Sequence, residues 1–191
     1  MIRWSELFPD ESDLILRKFF KDAGQFTVAA PGGADYFRVS MVGVGGQGEN
    51  AGGNGAFSHR KAKTSAGEVF QIQVGQCGTG MTAGDSWMRR AATGEMVCYA
   101  DRGRGTGGVQ GSAANCIGDI RRSGVASVSS GGDVGDIARL GFGGRYGVSR
   151  SRAPGPGGGG LGGNFPALVL IPAGQGMVAV EWYGGDPGEG Y

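Results

Sequence analysis

From residue 26 onward, apolar positions recur at every second residue. "FTVAA" (26–30) alternates, and "YFRVSMV" (36–42) sets Phe37, Val39 and Met41 on one face. "EVFQIQVG" (68–75) sets Phe70, Ile72 and Val74 inward and Gln71 and Gln73 outward. "MVAVEWY" (177–183) places Val178, Val180 and Trp182 together. A period of two with one polar face predicts strands of a half-solvated antiparallel sheet. "MVCY" (96–99) and "ALVLI" (167–171) are weaker strand candidates.

Residues 1–24 follow a different rule. In "FPDESDLILRKFFKDAG" (8–24), Pro9–Ser12 suit a helix start, Lys21 suits a last turn and Gly24 a C-cap. Ile15, Leu16, Phe19 and Phe20 recur at helical spacing and would share one face. Trp4, Leu7 and Phe8 add apolar bulk ahead of them. The spacing predicts an N-terminal helical anchor over 1–24 that docks on another chain, with packing on its own domain as the alternative. Residues 25–191 then form a glycine-rich β domain.

Glycine changes the picture between the strands. The chain of 191 residues holds 43 glycines and 7 prolines, a share that by itself suggests low complexity. The apolar share of 39% and its clustering in alternating runs argue for an ordered chain instead. About a third of residues 101–163 are glycine, without a strict G-X-Y repeat. Runs such as "GPGGGGLGG" (155–163) bury almost no side chain. Extended glycine segments can pack side by side and bond through their backbones, because no side chain keeps them apart. The expected fold is mainly β: a small antiparallel β-sandwich with long glycine-rich loops, polyglycine II-type packing among them, and one N-terminal helix.

The formal net charge is +1, so bulk electrostatics favour neither nucleic acid nor a membrane surface. No apolar run approaches the roughly 20 residues of a membrane span. The N-terminus lacks the pattern of a secretion signal, so synthesis without Sec export is expected. Cys77, Cys98 and Cys116 are too few and too widely spaced for a disulfide framework, and read as reduced, mostly buried thiols.

Catalytic motifs are sparse. "GVGGQG" (43–48) fits a dinucleotide fingerprint, but "ENAGGNGAF" after it cannot sustain the required helix. His59 is the single histidine, which leaves little room for triads or multi-histidine metal sites. Its neighbours in "FSHRKAKTS" suggest a solvated basic loop. Asp85, Glu95, Asp101, Asp119, Asp133 and Asp136 could supply a glycosidase pair, which keeps a polysaccharide depolymerase as an enzymatic alternative. Asp133 and Asp136 lack a calcium-loop pattern. No cofactor and no metal are expected.

The residues with most to offer a partner are aromatic and basic ones in the glycine-rich stretches. They are Trp87, Arg89 and Arg90 in "SWMRR", Tyr99, Arg102 and Arg104 in "CYADRGRG", and Arg145, Tyr146, Arg150 and Arg152 in "GGRYGVSRSR". Tryptophan, tyrosine and arginine dominate binding hot spots, and arginine forks suit phosphates. The alternative places Trp87 and Tyr99 in a small core with solvated arginines.

Three pieces stand in order along residues 26–183: "FTVAAPGGADYFRVSMVGVGGQG", "GEVFQIQVGQCGTG", and "GPGGGGLGG" followed by "GMVAVEWYGG". In that order they resemble the glycine-rich domain of phage tail proteins and tail-fibre adhesins. A related arrangement occurs in the extracellular region of anaplastic lymphoma kinase. The arginine-rich middle and the short glycine runs depart from the family pattern, and residues 1–24 lie outside it. The resemblance implies a non-enzymatic virion component at a tail, fibre tip or baseplate, assembled in the host cytoplasm. Other tail or fibre proteins would hold it through residues 1–24. Its loops would meet a bacterial surface receptor, an outer-membrane protein or lipopolysaccharide. A purely structural tail or decoration protein is the architectural alternative. Fibre-associated relatives imply that a homotrimer is one symmetry open to it.

Overall fold

The computed structural model describes residues 13–46, 53–76, 84–104, 109–124 and 174–185. Nine strands appear among them: β1 (Leu14–Phe20), β2 (Gly24–Ala29), β3 (Tyr36–Val42), β4 (Phe57–Lys63), β5 (Val69–Val74), β6 (Ser86–Arg90), β7 (Met96–Ala100), β8 (Ile120–Arg122) and β9 (Met177–Tyr183). They form a five-stranded sheet in the order β1-β9-β3-β4-β8 and a four-stranded sheet in the order β2-β5-β6-β7. Every strand pairing is antiparallel.

The core lies between the sheets. Phe37, Val39 and Met41 of β3 and Val178, Val180 and Trp182 of β9 face Phe70, Ile72 and Val74 of β5 and Met88 of β6. The Phe37 and Phe70 rings meet edge-on across the gap, centroids 5.0 Å apart. Burying each such side chain contributes about 1.5–3 kcal/mol. A smaller cluster of Val42, Phe57, Met177 and Ala179, with Ile120 against it, sits on the outer face of the five-stranded sheet.

The N-terminal helix is not formed in the described part of residues 1–24. Leu14–Phe20 is a strand, paired with β9 from Leu14 opposite Tyr183 to Phe20 opposite Val178. The same apolar residues satisfy both periods. Leu16 and Phe20, four apart, share a helix face, and they also share a strand face. Pairing with β9 decides the matter: Leu16 and Phe20 pack on the core, while Ile15 and Phe19 face out, 41% and 56% exposed. Trp4, Leu7 and Phe8 lie outside the described residues, as do the strand candidate at 167–171 and the run at 155–163.

Two kinds of glycine stand out among the described residues. Gly67 and Gly94 turn the chain with φ of 80° and 73°, and a Cβ there would meet open space. Gly43, Gly46, Gly53, Gly55, Gly103, Gly111 and Gly124 have no such φ. A Cβ on Gly43 would stand 2.1 Å from the Asp101 carbonyl oxygen, and one on Gly55 2.0 Å from that of Gly43. These positions are glycine because another backbone occupies the space of a side chain.

The segments carrying them bond to one another. Gly43 and Gly46 N–H donate to Ala56 and Gly53 carbonyls at 2.9 and 2.8 Å. Gly53 and Ala56 N–H donate to Arg104 and Asp101 carbonyls at 3.2 and 2.8 Å. Gly111 N–H donates to Asn54 O at 2.8 Å, and Gly103 N–H to Val44 O at 2.8 Å. Segment 53–56 thus bonds to three others (43–46, 101–104 and 109–111), whereas a strand inside a sheet has two neighbours. Buried backbone groups that no strand satisfies are paired in this bundle instead.

Candidate functional site

The outer face of the four-stranded sheet carries a row of half-buried aromatic side chains. β5 and β6 alternate: Ile72 and Met88 point to the core, which turns Gln71, Gln73, Trp87 and Arg89 outward. β7 keeps its inner set, with Cys98 and Ala100 buried, and turns Tyr99 outward. The register lines up Gln25, Gln73, Trp87 and Tyr99 across four strands, and a bridge carries the row on to Ile117, which is 39% exposed.

Two aromatic side chains stand side by side in this row, Trp87 and Tyr99. The Arg89 guanidinium lies over the Trp87 ring at 4.8 Å, and its Nε donates to Gln71 Oε1 at 2.8 Å. The Asp85 carboxylate acts on the Tyr99 hydroxyl electrostatically. Burial first, then the nearby Asp85 charge, push the Tyr99 phenol well above its ordinary value. Arg102 stands 3.9 Å from Asp85 at the end of the row.

Four expected binding residues therefore share one strand or row, but on strands rather than in loops: Trp87, Arg89 and Arg90 on β6 and Tyr99 on β7. Trp87 and Tyr99 are half-buried on the outer face and absent from the core cluster. Arg90 is spent on structure. It sits over Phe70 at 5.7 Å, ion-pairs with Glu68 and with Glu95, and donates to Lys63 O at 2.9 Å. Arg104 lies apart at the glycine bundle, 4.0 Å from Asp101. Arg145, Tyr146, Arg150 and Arg152 lie outside the described residues. The signal for the face is the Gln71/Gln73 alternation, which marks the solvent side of β5; "SWMRR" carries a weaker one, because only one apolar residue, Met88, points inward between Trp87 and Arg89.

The carboxylates have structural partners. Asp101 is buried, and its Oδ2 accepts from Ser112 N–H and Asn115 Nδ2, both at 2.9 Å. It ties segment 109–116, with its short 3-10 turn at Ala113–Asn115, to the glycine bundle. Asp119 Oδ2 accepts from Lys61 N–H at 2.9 Å. Asp133 and Asp136 lie outside the described residues.

His59 is on strand β4, not in a solvated loop, with Nδ1 2.8 Å from Ser40 Oγ. Burial, then the Arg38 charge, lowers its pKa from the ordinary value. Cys98 and Cys116 are free, buried thiols. Burial pushes Cys98 up to about 12 and raises Cys116 too. Cys77 lies outside the described residues.

Among the described residues no helix is long and apolar enough to cross a membrane. No protein-family model matches the chain, and no curated protein matches it.

Proposed function

We propose that the chain is a virion component of a phage tail, fibre tip or baseplate that presents a receptor-binding surface from a polyglycine II-like platform. One observation carries this reading: the chain leaves and re-enters the same backbone-bonded bundle several times. The chain leaves at Gly46 and returns at Gly53, where the two are bonded at 2.8 Å. It leaves at Arg104 and returns at Val109, bonded at 2.7 Å. It leaves at Gly124 and returns at Gly174, which accepts from Gly45 at 3.0 Å. The residues that flank 47–52, 105–108 and 125–173 therefore belong to one hydrogen-bonded bundle. Bonded backbone can hold the ends of connecting segments together without a large side-chain core.

Attachment falls to the N-terminal segment and the outer side of β1, where Ile15 and Phe19 are exposed on an edge strand. Exposed apolar residues on a sheet edge suit a partner protein. The structural duties of Asp101, Glu95 and Asp119 count against the depolymerase alternative.

Immunogold labelling of intact virions with antibody against the chain tests the reading. Label at the distal end of tail or fibres is expected. Label confined to head or shaft would remove receptor binding, and unlabelled particles would remove the virion assignment.

A further inference from the structure

The row on the four-stranded sheet has a chemistry that names its ligand class. Trp87 and Tyr99 sit side by side on adjacent strands, both half-buried, and the Arg89 guanidinium lies over the Trp87 ring. A fixed aromatic surface loses little conformational freedom on binding. Such a surface suits the C–H faces of a sugar ring.

The flanking amides supply the polar half. Gln71 gives its Oε1 to Arg89 and keeps an Nε2 to donate. Gln73 gives its Nε2 to Val74 O at 3.0 Å and keeps an Oε1 to accept. A free donor and a free acceptor thus lie beside the aromatics on β5, which matches hydroxyl groups that both donate and accept.

Charge sets the ligand apart from a neutral polymer. Among the described residues, Arg89 contacts an amide and an aromatic face, and both are uncharged. With Nε occupied, its two terminal nitrogens remain for a carboxylate, whose planar oxygens match that fork.

We propose that Gln71, Gln73, Trp87, Arg89 and Tyr99 form a binding face for an acidic oligosaccharide, a uronate-bearing glycan stacked on the aromatics with its carboxylate on Arg89. The proposal deepens the receptor-binding reading above and supplies its ligand class.

Titration calorimetry of the full chain with polygalacturonate oligomers tests it, with dextran oligomers as the neutral counterpart. Saturable binding of the acidic oligomers is expected, weakened about tenfold or more by Trp87→Ala and by Arg89→Gln. Arg89→Gln keeps a hydrogen-bonding side chain beside Gln71, so it reports binding even where Trp87→Ala fails to fold. Equal binding of dextran, binding that survives Arg89→Gln, or no saturable binding at millimolar oligomer would each overturn the proposal. Labelled virions whose chain binds no acidic oligomer would sink this inference and leave the virion reading standing. Unlabelled virions with a chain that binds would do the reverse.

Discussion

Ser40 Oγ lies 2.8 Å from His59 Nδ1, inside the register that pairs β3 with β4. The imidazole is largely shielded and stands near the Arg38 charge, so the folded chain favours its neutral form. The unfolded chain takes up this proton first as pH falls. Stability is therefore whole above the ordinary histidine value and declines below about pH 6.5. Thermal melts from pH 8 to pH 5 are expected to show that decline in the native chain and a flatter profile in His59→Gln. Parallel profiles would mean that His59 does not carry the effect.

Glu68 works at lower pH. Burial alone pushes its carboxyl up, but bonds from Arg90 and Thr64 outweigh this and hold it below its ordinary value. Such a carboxylate stabilises the fold above its unfolded pKa and loses that contribution as pH falls through the acid range. Arg90→Met is expected to destabilise the chain at neutral pH, and by less at about pH 3. A penalty that is the same at both pH values would contradict this role.

Both described thiols are buried, and Cys98 is shifted to about 12, so neither is a thiolate in the folded chain near neutral pH. Under native conditions a thiol-specific reagent should modify no more than one cysteine per chain, and all 3 after unfolding. Rapid modification of Cys98 or Cys116, read by peptide mass mapping, would contradict their burial.

The N-terminal strand makes a claim that a helix would not. In a helix, Leu16 and Phe19 share a face; in β1 they are on opposite faces. Leu16→Ala is expected to cost about 2 kcal/mol, because Leu16 packs on the core. Phe19→Ala should stay within about 0.5 kcal/mol. Urea midpoints that fall equally for both would favour the helix.

How much of this was legible in the sequence differs from strand to strand. The inward residues of β3, β5 and β9 follow from alternation, which is cleanest in β5; β3 and β9 are also apolar on part of their outer face, where Val42, Met177 and Ala179 form the smaller cluster. β4 carries no such signal: Ser58 and Arg60 point toward the interior side, where Ser58 donates to Ile117 O and Arg60 to Val97 O. Its basic residues read as a loop, and pairing with β3 overrides them. β1 satisfied both periods, and only its partner strand settled the choice. The bundle was foreseeable in kind, from glycine's small size. Which segments meet in it was not, since contacts such as Gly53 with Val109 join distant stretches of chain.

The central claim is that backbone against backbone, not side-chain packing, holds the bundle of segments 43–46, 53–56, 101–104 and 109–111 together. It is tested most directly by comparing Gly103→Ala with Gly67→Ala in urea unfolding. A Cβ on Gly103 would stand 1.9 Å from the Gly53 carbonyl oxygen, whereas one on Gly67 meets nothing and bears only a φ of 80°. Gly67→Ala is expected to cost about 1–2 kcal/mol. Gly103→Ala should cost about 3 kcal/mol or more, since neither backbone can move without breaking its bonds. A Gly103→Ala chain as stable as Gly67→Ala would mean that the segments are not packed against one another, and the platform would fall with them.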